Sequence, residues 1–267
     1  MKKPKLMWIV TGIIILVNLL TYLWVKGKAL LYVSDLLPVV CAFLSLLGVL
    51  SAFRGFKTFD LAKIAWFLIF IGLLFNFIAE STYGFMEIVV QTDMNETFPT
   101  MADLFWCAAY LAFFSGLALM IVGYRRSGMP LGKLKTNIGL SLFFVIVSII
   151  VIIFLCIPVI SDDETDAFSK VVYLWYPIGD VLVVSMALML ISMMSQFGIG
   201  KISLPWILLA SGFLFFTISD LLYSYLGWQE LYHNGNLIDL GWNVGYLLIG
   251  LAGLYQRQLV ESIQKKK

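Results

Sequence analysis

The chain has 267 residues, of which 61% are hydrophobic and 13% are charged, and its formal net charge is +2. About a quarter of the residues in a soluble domain are charged, so this composition excludes a soluble protein. The apolar runs are continuous and do not alternate in ten-residue segments, which argues against a β-barrel. We therefore predict an all-α polytopic membrane protein that leaves no soluble domain.

Apolar runs of about 20 residues predict eight transmembrane helices. In chain order, the predicted spans are 7–25, 30–53, 62–84, 101–123, 138–160, 173–197, 203–226 and 236–256. The first span resembles a signal peptide, but its apolar run exceeds the roughly 7–15 residues typical of one. No small-residue cleavage site follows it, so we expect this helix to be retained.

Basic residues concentrate on one side of the predicted membrane. They precede the first span, fill the loops after the second, fourth and sixth spans, and follow the last span. The positive-inside rule makes this side cytoplasmic. We predict a multi-pass protein of the cell membrane with both termini in the cytoplasm. The other side carries mainly acidic loops, and the Asn95-Glu96-Thr97 sequon in one of them leaves glycosylation of Asn95 open.

Two stretches of the chain repeat one another at constant offsets. Trp66, Gly72, Phe75, Glu80 and Tyr83 match Trp206, Gly212, Phe215, Asp220 and Tyr223, while Asp103, Trp106 and Tyr110 match Asp239, Trp242 and Tyr246. Four spans in each copy predict two parallel four-helix repeats, 1–124 and 138–257. A basic cytoplasmic connector, 125–137, joins them, and 258–267 forms a cytoplasmic tail.

The repeats place acidic and aromatic residues together near the outer leaflet. In the motif Asp-x-x-Trp-x-x-x-Tyr, positions 0, 3 and 7 share one helix face. An ionisable group inside a bilayer costs roughly 2.5 to 3.5 kcal/mol on insertion scales and by default indicates a functional site. The predicted ligand-binding residues are Asp35, Glu80, Tyr83, Asp103, Trp106, Tyr110, Asp180, Asp220, Tyr223, Asp239, Trp242 and Tyr246.

No predicted span carries a basic residue at the depth of these acids. A buried carboxylate without such a partner is protonated, hydrogen-bonded or paired with a bound cation. We therefore expect no cofactor apart from a bound cation, whose identity as a metal or an organic amine stays open. The alternative is that Asp103 and Asp239 simply cap their helices. Capping does not explain Glu80 and Asp220, which are predicted near helix C-terminal ends, where acids oppose the dipole.

Several motifs together resemble a known class of signalling proteins. They are Pro99-x-x-x-Asp103-x-x-Trp106-x-x-x-Tyr110, Tyr176-Pro177-x-x-Asp180, and the segment from Trp206 through Asp220-x-x-Tyr223 to Asp239-x-x-Trp242-x-x-x-Tyr246. The pattern is similar to the multi-span sensor region that precedes GGDEF, EAL or histidine-kinase domains in bacteria and archaea. The resemblance implies an input module for an unidentified signal. Only a short Lys-tipped tail follows the last span here, so output is expected through a separate cytoplasmic partner.

These observations favour a membrane sensor or ligand-binding module with an outward-facing acidic and aromatic pocket. The predicted ligand is a cation, a proton or a small amine-like molecule. A proton- or cation-coupled transporter is the alternative, and an intramembrane enzyme has less support because the chain lacks a His-rich metal set or HExxH motif. The expected partners are the lipid bilayer and the signalling protein, without nucleic acid. The sequence leaves the oligomeric state open.

Overall fold

The computed structural model describes residues 2–92, 94, 97–197 and 200–265, and every regular element within them is helical. The predicted sequon residue Asn95 and the terminal Lys266 and Lys267 lie outside the described residues. The helices are α1 (Lys2–Trp24), α2 (Lys28–Gly55), α3 (Leu61–Phe85), α4 (Met101–Arg126), α5 (Leu134–Val151), α6 (Ile157–Ser161), α7 (Ala167–Met194), α8 (Leu204–Trp228) and α9 (Asp239–Gln264).

Seven helical stretches among the described residues are long and apolar enough to cross a membrane. They are Leu6–Trp24, Lys28–Gly55, Leu61–Val90, Met101–Arg126, Leu134–Ser161, Ala167–Met194 and Leu204–Trp228. The predicted span 236–256 is helical from Asp239 onward, as part of α9, but this helix is less apolar than the seven stretches. Asn243 and Gln256 of this helix are buried against neighbouring helices. The face that carries them does not contact lipid and can therefore be polar. The chain is a multi-pass, all-helical membrane protein.

Some helix boundaries differ from the predicted spans. The third span continues beyond residue 84 as a π-helical turn, Met86–Val90, and the fifth passes through a π-helical turn, Ile152–Cys156, into α6. Pro158 lacks the N–H that a regular helix would supply at this position. The α7 helix begins before residue 173 because Asp166 caps it, accepting a hydrogen bond from the Phe168 N–H at 2.9 Å. The Ser169 hydroxyl and backbone N–H bonds lower the pKa of Asp166.

Six helices form a ring. Following contacts from neighbour to neighbour, the order is α2, α3, α4, α7, α8 and α9, and α9 then packs against α2. The α1 helix lies outside the ring against α9 and α2, whereas α5 and α6 lie outside it against α7. Helices that carry the matched motifs are three places apart in this order. They therefore face one another across the ring.

A buried aromatic core fills the ring toward its basic end, where Arg54 and Arg125 lie. The rings of Trp66 and Trp206, which are matched in the sequence, are 5.9 Å apart. Deeper in the ring, Phe113 and Phe213 make an edge-to-face contact at 5.0 Å. These side chains are almost completely buried. The apolar core therefore closes the ring on one side of the acids.

The α2 and α9 helices approach each other more closely than side chains would allow. A Cβ atom placed on Gly250 would lie 2.7 Å from the Cα of Ser45, and one on Gly253 would lie 2.5 Å from the carbonyl oxygen of Gly48. Small residues permit such backbone contact between helices in lipid, where packing supplies much of the association energy. This contact closes the ring.

Candidate functional site

The acids and aromatic residues converge on one cavity of about 140 Å³. It lies within the ring, toward the ends of the helices opposite Arg54 and Arg125. Every predicted ligand-binding residue lines it: Asp35, Glu80, Tyr83, Asp103, Trp106, Tyr110, Asp180, Asp220, Tyr223, Asp239, Trp242 and Tyr246. We call it the acidic cavity. The structure thus brings both repeated sets together in a single site.

Glu80 and Asp220, which are matched in the sequence, are each bound by a tyrosine from the other half of the chain. The Tyr246 hydroxyl donates to Glu80 Oε1 at 2.7 Å, and the Tyr110 hydroxyl lies 3.0 Å from Asp220 Oδ2. Trp242 of the same half donates its indole N–H to Asp220 Oδ1 at 2.7 Å. The residues matched in the sequence therefore form a reciprocal exchange of hydrogen bonds across the cavity.

The positions of Glu80 and Asp220 correct one part of the sequence interpretation. The α3 helix runs to Phe85 and continues as a π-helical turn, while α8 runs to Trp228. Both acids therefore lie more than one turn inside their helices. The helix dipole acts mainly in the last turn, so dipole repulsion is not what distinguishes them. Each instead accepts a hydrogen bond from a tyrosine of the opposite half, as Asp103 does from Tyr176.

Asp180 shares the hydroxyl of Tyr110 with Asp220. Its Oδ1 atom lies 3.0 Å from the Tyr110 oxygen, and its side chain is only 1% exposed. The other oxygen, Oδ2, is buried and has no hydrogen-bond partner among the described residues. The carboxyl group of Asp180 is therefore less well supplied with donors than that of Asp220.

Asp35 on α2 is also buried, and its Oδ2 atom has no hydrogen-bond partner in the described structure. It interacts with Glu87, which lies on the π-helical turn after α3. The Asn234 amide donates to both oxygens of Glu87, at 2.7 and 2.6 Å. A second acidic pair thus lies at the edge of the cavity.

Asp103 and Asp239 lie at helix starts, as the capping interpretation expected, but both also contact tyrosines. Asp103 accepts the Thr100 N–H at 2.6 Å in a capping box, and Tyr176 donates to its other oxygen at 2.6 Å. Asp239 accepts from the Gly235 N–H at 2.9 Å and the Tyr232 hydroxyl at 3.1 Å. Capping and cavity lining therefore coexist at Asp103, whereas the donors to Asp239 lie in the loop before α9.

The capping box at the start of α4 gives a first testable expectation. Replacing Thr100 with alanine should lower the free energy of unfolding by about 1 kcal/mol, because the cap to the Ala102 N–H is lost. Denaturant titration of the purified protein in detergent measures this change. The control is Thr136→Ala, at an exposed position in α5, which should leave the free energy unchanged. Equal losses in both variants would contradict the capping role.

Aromatic side chains form the walls between the acids. Tyr83 packs against Trp106 with ring centroids 5.8 Å apart, and the matched pair Tyr223 and Trp242 repeats this contact at 5.7 Å. Tyr232, in the loop between α8 and α9, adds an edge-to-face contact with Tyr223 at 4.7 Å. Burial, with a contribution from the charge of Asp239, raises the pKa of Tyr232. Its hydroxyl therefore remains a hydrogen-bond donor at neutral pH.

No basic side chain among the described residues neutralises the acidic cavity. Among the described residues, an ion pair joins Arg257 to Glu261 at 2.5 Å. Both residues belong to the last turns of α9, at the basic end of the ring and away from the cavity. The described residues also contain no group of three His, Cys, Asp or Glu side chains arranged to hold a metal ion. The cavity therefore combines carboxyl groups with aromatic faces, and the described residues contain no preformed metal site.

The sequence interpretation did not include several residues that line the cavity. They are Ser34, Asn76, Tyr176, Thr217, Tyr232 and Asn234. Asn76 could have been recognised, since it lies four residues before Glu80 in an apolar helix and shares its face. Tyr232 and Asn234 lie in a loop without periodicity. No signal in the sequence places that loop over the cavity.

The fold and the cavity together define a multi-pass helical membrane protein with an acidic, aromatic site inside a six-helix ring. Comparison of the chain with protein-family models, with curated proteins and with solved structures found no match.

Proposed function

We propose that the protein is a membrane ligand-binding module of the sensor type, and that its acidic cavity binds a small organic cation. The observation that carries this proposal is the convergence of every predicted acid and aromatic residue on one cavity, without a basic neighbour among the described residues. Carboxylates supply attraction to a positive charge, and the faces of Trp and Tyr add cation–π contacts. A methylated or primary ammonium group matches both.

The size of the cavity supports a small ligand. An apolar cavity of about 150 Å³ in another protein binds benzene, and the acidic cavity measures about 140 Å³. A simple amine or a quaternary ammonium ion is of this size. Residues that could contact both its charge and its methyl groups are Glu80, Trp106 and Trp242.

The arrangement of the helices supports a duplicated, parallel architecture. Helices that carry matched motifs are three places apart in the ring, and matched tyrosines bind matched acids. With the basic loops in the cytoplasm, both termini would lie there and the acidic cavity would lie toward the outside. The sensor would then receive its ligand from outside and transmit to a separate cytoplasmic partner.

Unfolding temperatures measured with a panel of cations test the proposal. Saturating tetramethylammonium or methylammonium chloride should raise the unfolding temperature by about 5–10 °C, which corresponds to a ligand at roughly a hundred times its Kd. Sodium and magnesium chloride at equal ionic strength should raise the unfolding temperature less, because the described residues contain no group of three His, Cys, Asp or Glu side chains arranged to hold a metal ion. Intrinsic tryptophan fluorescence of the protein in detergent provides the measurement.

A uniform shift for all salts would indicate general screening and would contradict the proposal. Stabilisation by magnesium alone would replace the organic cation with a metal ligand. An absence of stabilisation by every cation in the panel would remove cation binding altogether.

A coupled transporter is the second candidate, favoured by prolines inside two ring helices. Pro38 lies three residues after Asp35 in α2, and Pro177 lies three residues before Asp180 in α7. Each proline leaves a backbone carbonyl without its helical donor and provides a place for bending. Uptake of radiolabelled methylammonium into proteoliposomes, driven by an imposed proton gradient, would favour transport over sensing.

A further inference from the structure

The hydroxyl of Tyr110 lies between two carboxyl groups and cannot donate to both. Its oxygen is 3.0 Å from Asp180 Oδ1 and 3.0 Å from Asp220 Oδ2. A phenol has one hydrogen to donate, whereas an ionised carboxylate is only an acceptor. If both acids were ionised, a lone pair of Tyr110 would face a carboxylate oxygen inside a buried site. One of the two acids must therefore supply a proton to this arrangement.

The remaining hydrogen bonds identify which acid holds it. Asp220 accepts the Trp242 indole N–H at 2.7 Å, so with Tyr110 it has two donors, as an ionised carboxylate requires. The Oδ1 atom of Asp180 has Tyr110 at hydrogen-bond distance, Asp220 and Thr217 lie close to the carboxyl group, and the Oδ2 atom is buried without a hydrogen-bond partner among the described residues. A carboxylate in that environment lacks the donors that would offset its desolvation. A protonated Asp180 can instead donate to the Tyr110 oxygen, while Tyr110 donates to Asp220.

The described surroundings of Asp180 contain no charge that would oppose this assignment. Tyr110 faces it from α4, and Asp220 and Thr217 face it from α8. The outer helices α5 and α6 also pack against α7, and their one charged residue, Lys135, lies at the far end of α5. The groups facing Asp180 in the described structure are therefore acids and hydroxyls. A nearby acid favours protonation of its neighbour.

We propose that Asp180 carries a proton when no cation is bound, and that binding of an organic cation in the acidic cavity displaces this proton. The second half of this statement depends on the proposed function, but the first half does not. On binding, the O–H bond of Asp180 breaks, the proton passes to the solvent, and the new carboxylate pairs with the cation. One positive charge enters as one leaves, so the net charge of the cavity is unchanged.

Infrared difference spectroscopy tests the protonation of Asp180 without a ligand. The spectrum of the unsubstituted protein minus that of Asp180→Asn, both at neutral pH, should contain the C=O stretching band of one buried carboxylic acid. Asp163→Asn, in an exposed loop, should leave that band in place. If the Asp180→Asn substitution prevents folding, Asp180→Glu should shift the band without removing it. Identical carboxylic-acid regions in the unsubstituted protein and the position-180 variant would overturn the proposal.

Calorimetric titration with tetramethylammonium chloride tests the exchange. In buffers of different ionisation enthalpy, the unsubstituted protein should release about one proton per bound cation. Asp180→Asn should bind the cation with no proton release. Binding by the unsubstituted protein without dependence on the buffer would overturn the exchange and leave the proposed function intact. If no cation binds, the proposed function fails, and the infrared band still decides whether Asp180 is protonated.

Discussion

Replacing Gly250 with valine is expected to prevent the ring from closing and to abolish recovery of a monodisperse protein in detergent. A Cβ atom at this position would lie 2.7 Å from the Cα of Ser45, so backbone and not a flexible side chain blocks it. Overpacking of a core costs about 1–3 kcal/mol where neighbours can move. Here α2 and α9 would have to separate, so we expect a loss of at least about 3 kcal/mol. Size-exclusion chromatography and thermal unfolding report the result.

The matched controls are Gly12→Val in α1 and Gly139→Val in α5. A Cβ atom at either position would meet nothing within 4 Å among the described residues. Both variants should elute and unfold like the unsubstituted protein. If Gly250→Val behaves as they do, the close packing of α2 against α9 does not hold the ring together.

Combining Glu80→Gln with Asp220→Asn is expected to eliminate stabilisation by organic cations while preserving the fold. The new amide oxygen at position 80 can still accept from Tyr246. At position 220 the amide oxygen can accept from Trp242 while the amide NH2 donates to the Tyr110 oxygen, so hydrogen bonds across the cavity are retained. The two negative charges are lost, and a charge pair about 4 Å apart is worth about 4 kcal/mol at an effective dielectric constant near 20. Even half of that value per acid would weaken binding roughly a thousandfold for the pair.

Unfolding temperatures with and without tetramethylammonium chloride measure this effect. The control combines Asp163→Asn with Glu164→Gln, which removes the same charge from an exposed loop. That control should retain the full shift. An unchanged shift in the cavity variant would show that the cations stabilise the protein at another place.

The sequence was sufficient to predict that the acids and aromatic residues share a site, because two local rules act together. Helical spacing aligns Asp103, Trp106 and Tyr110 on one face, and the constant offset between repeats gives their counterparts the same depth. The hydrophobic runs also located the helices. Neither rule depends on which helices are neighbours. Both therefore operate on the sequence alone.

The sequence alone could not predict which side chains form hydrogen bonds with one another across the cavity. The bond from Tyr110 to Asp220 depends on α4 packing beside α7 and opposite α9, and that order is set by close contacts such as Gly250 against Ser45. The position of Glu87 depends on a π-helical turn, which no periodic pattern marks. The limited apolarity of α9 similarly reflects its protein neighbours. Each of these features depends on tertiary packing, which the local sequence pattern does not specify.

If the protein signals as proposed, the reciprocal tyrosines have a mechanical consequence. Tyr246 on α9 binds Glu80 on α3, while Tyr110 on α4 binds Asp220 on α8, so two bonds join the halves of the chain in opposite senses. Rotation of one half against the other would strain both bonds. A ligand that competes for either acid would therefore loosen the pair as a unit. Binding of a ligand in the cavity and the angle between the two halves would then change together. A partner at the membrane face where Arg54 and Arg125 lie could detect that change.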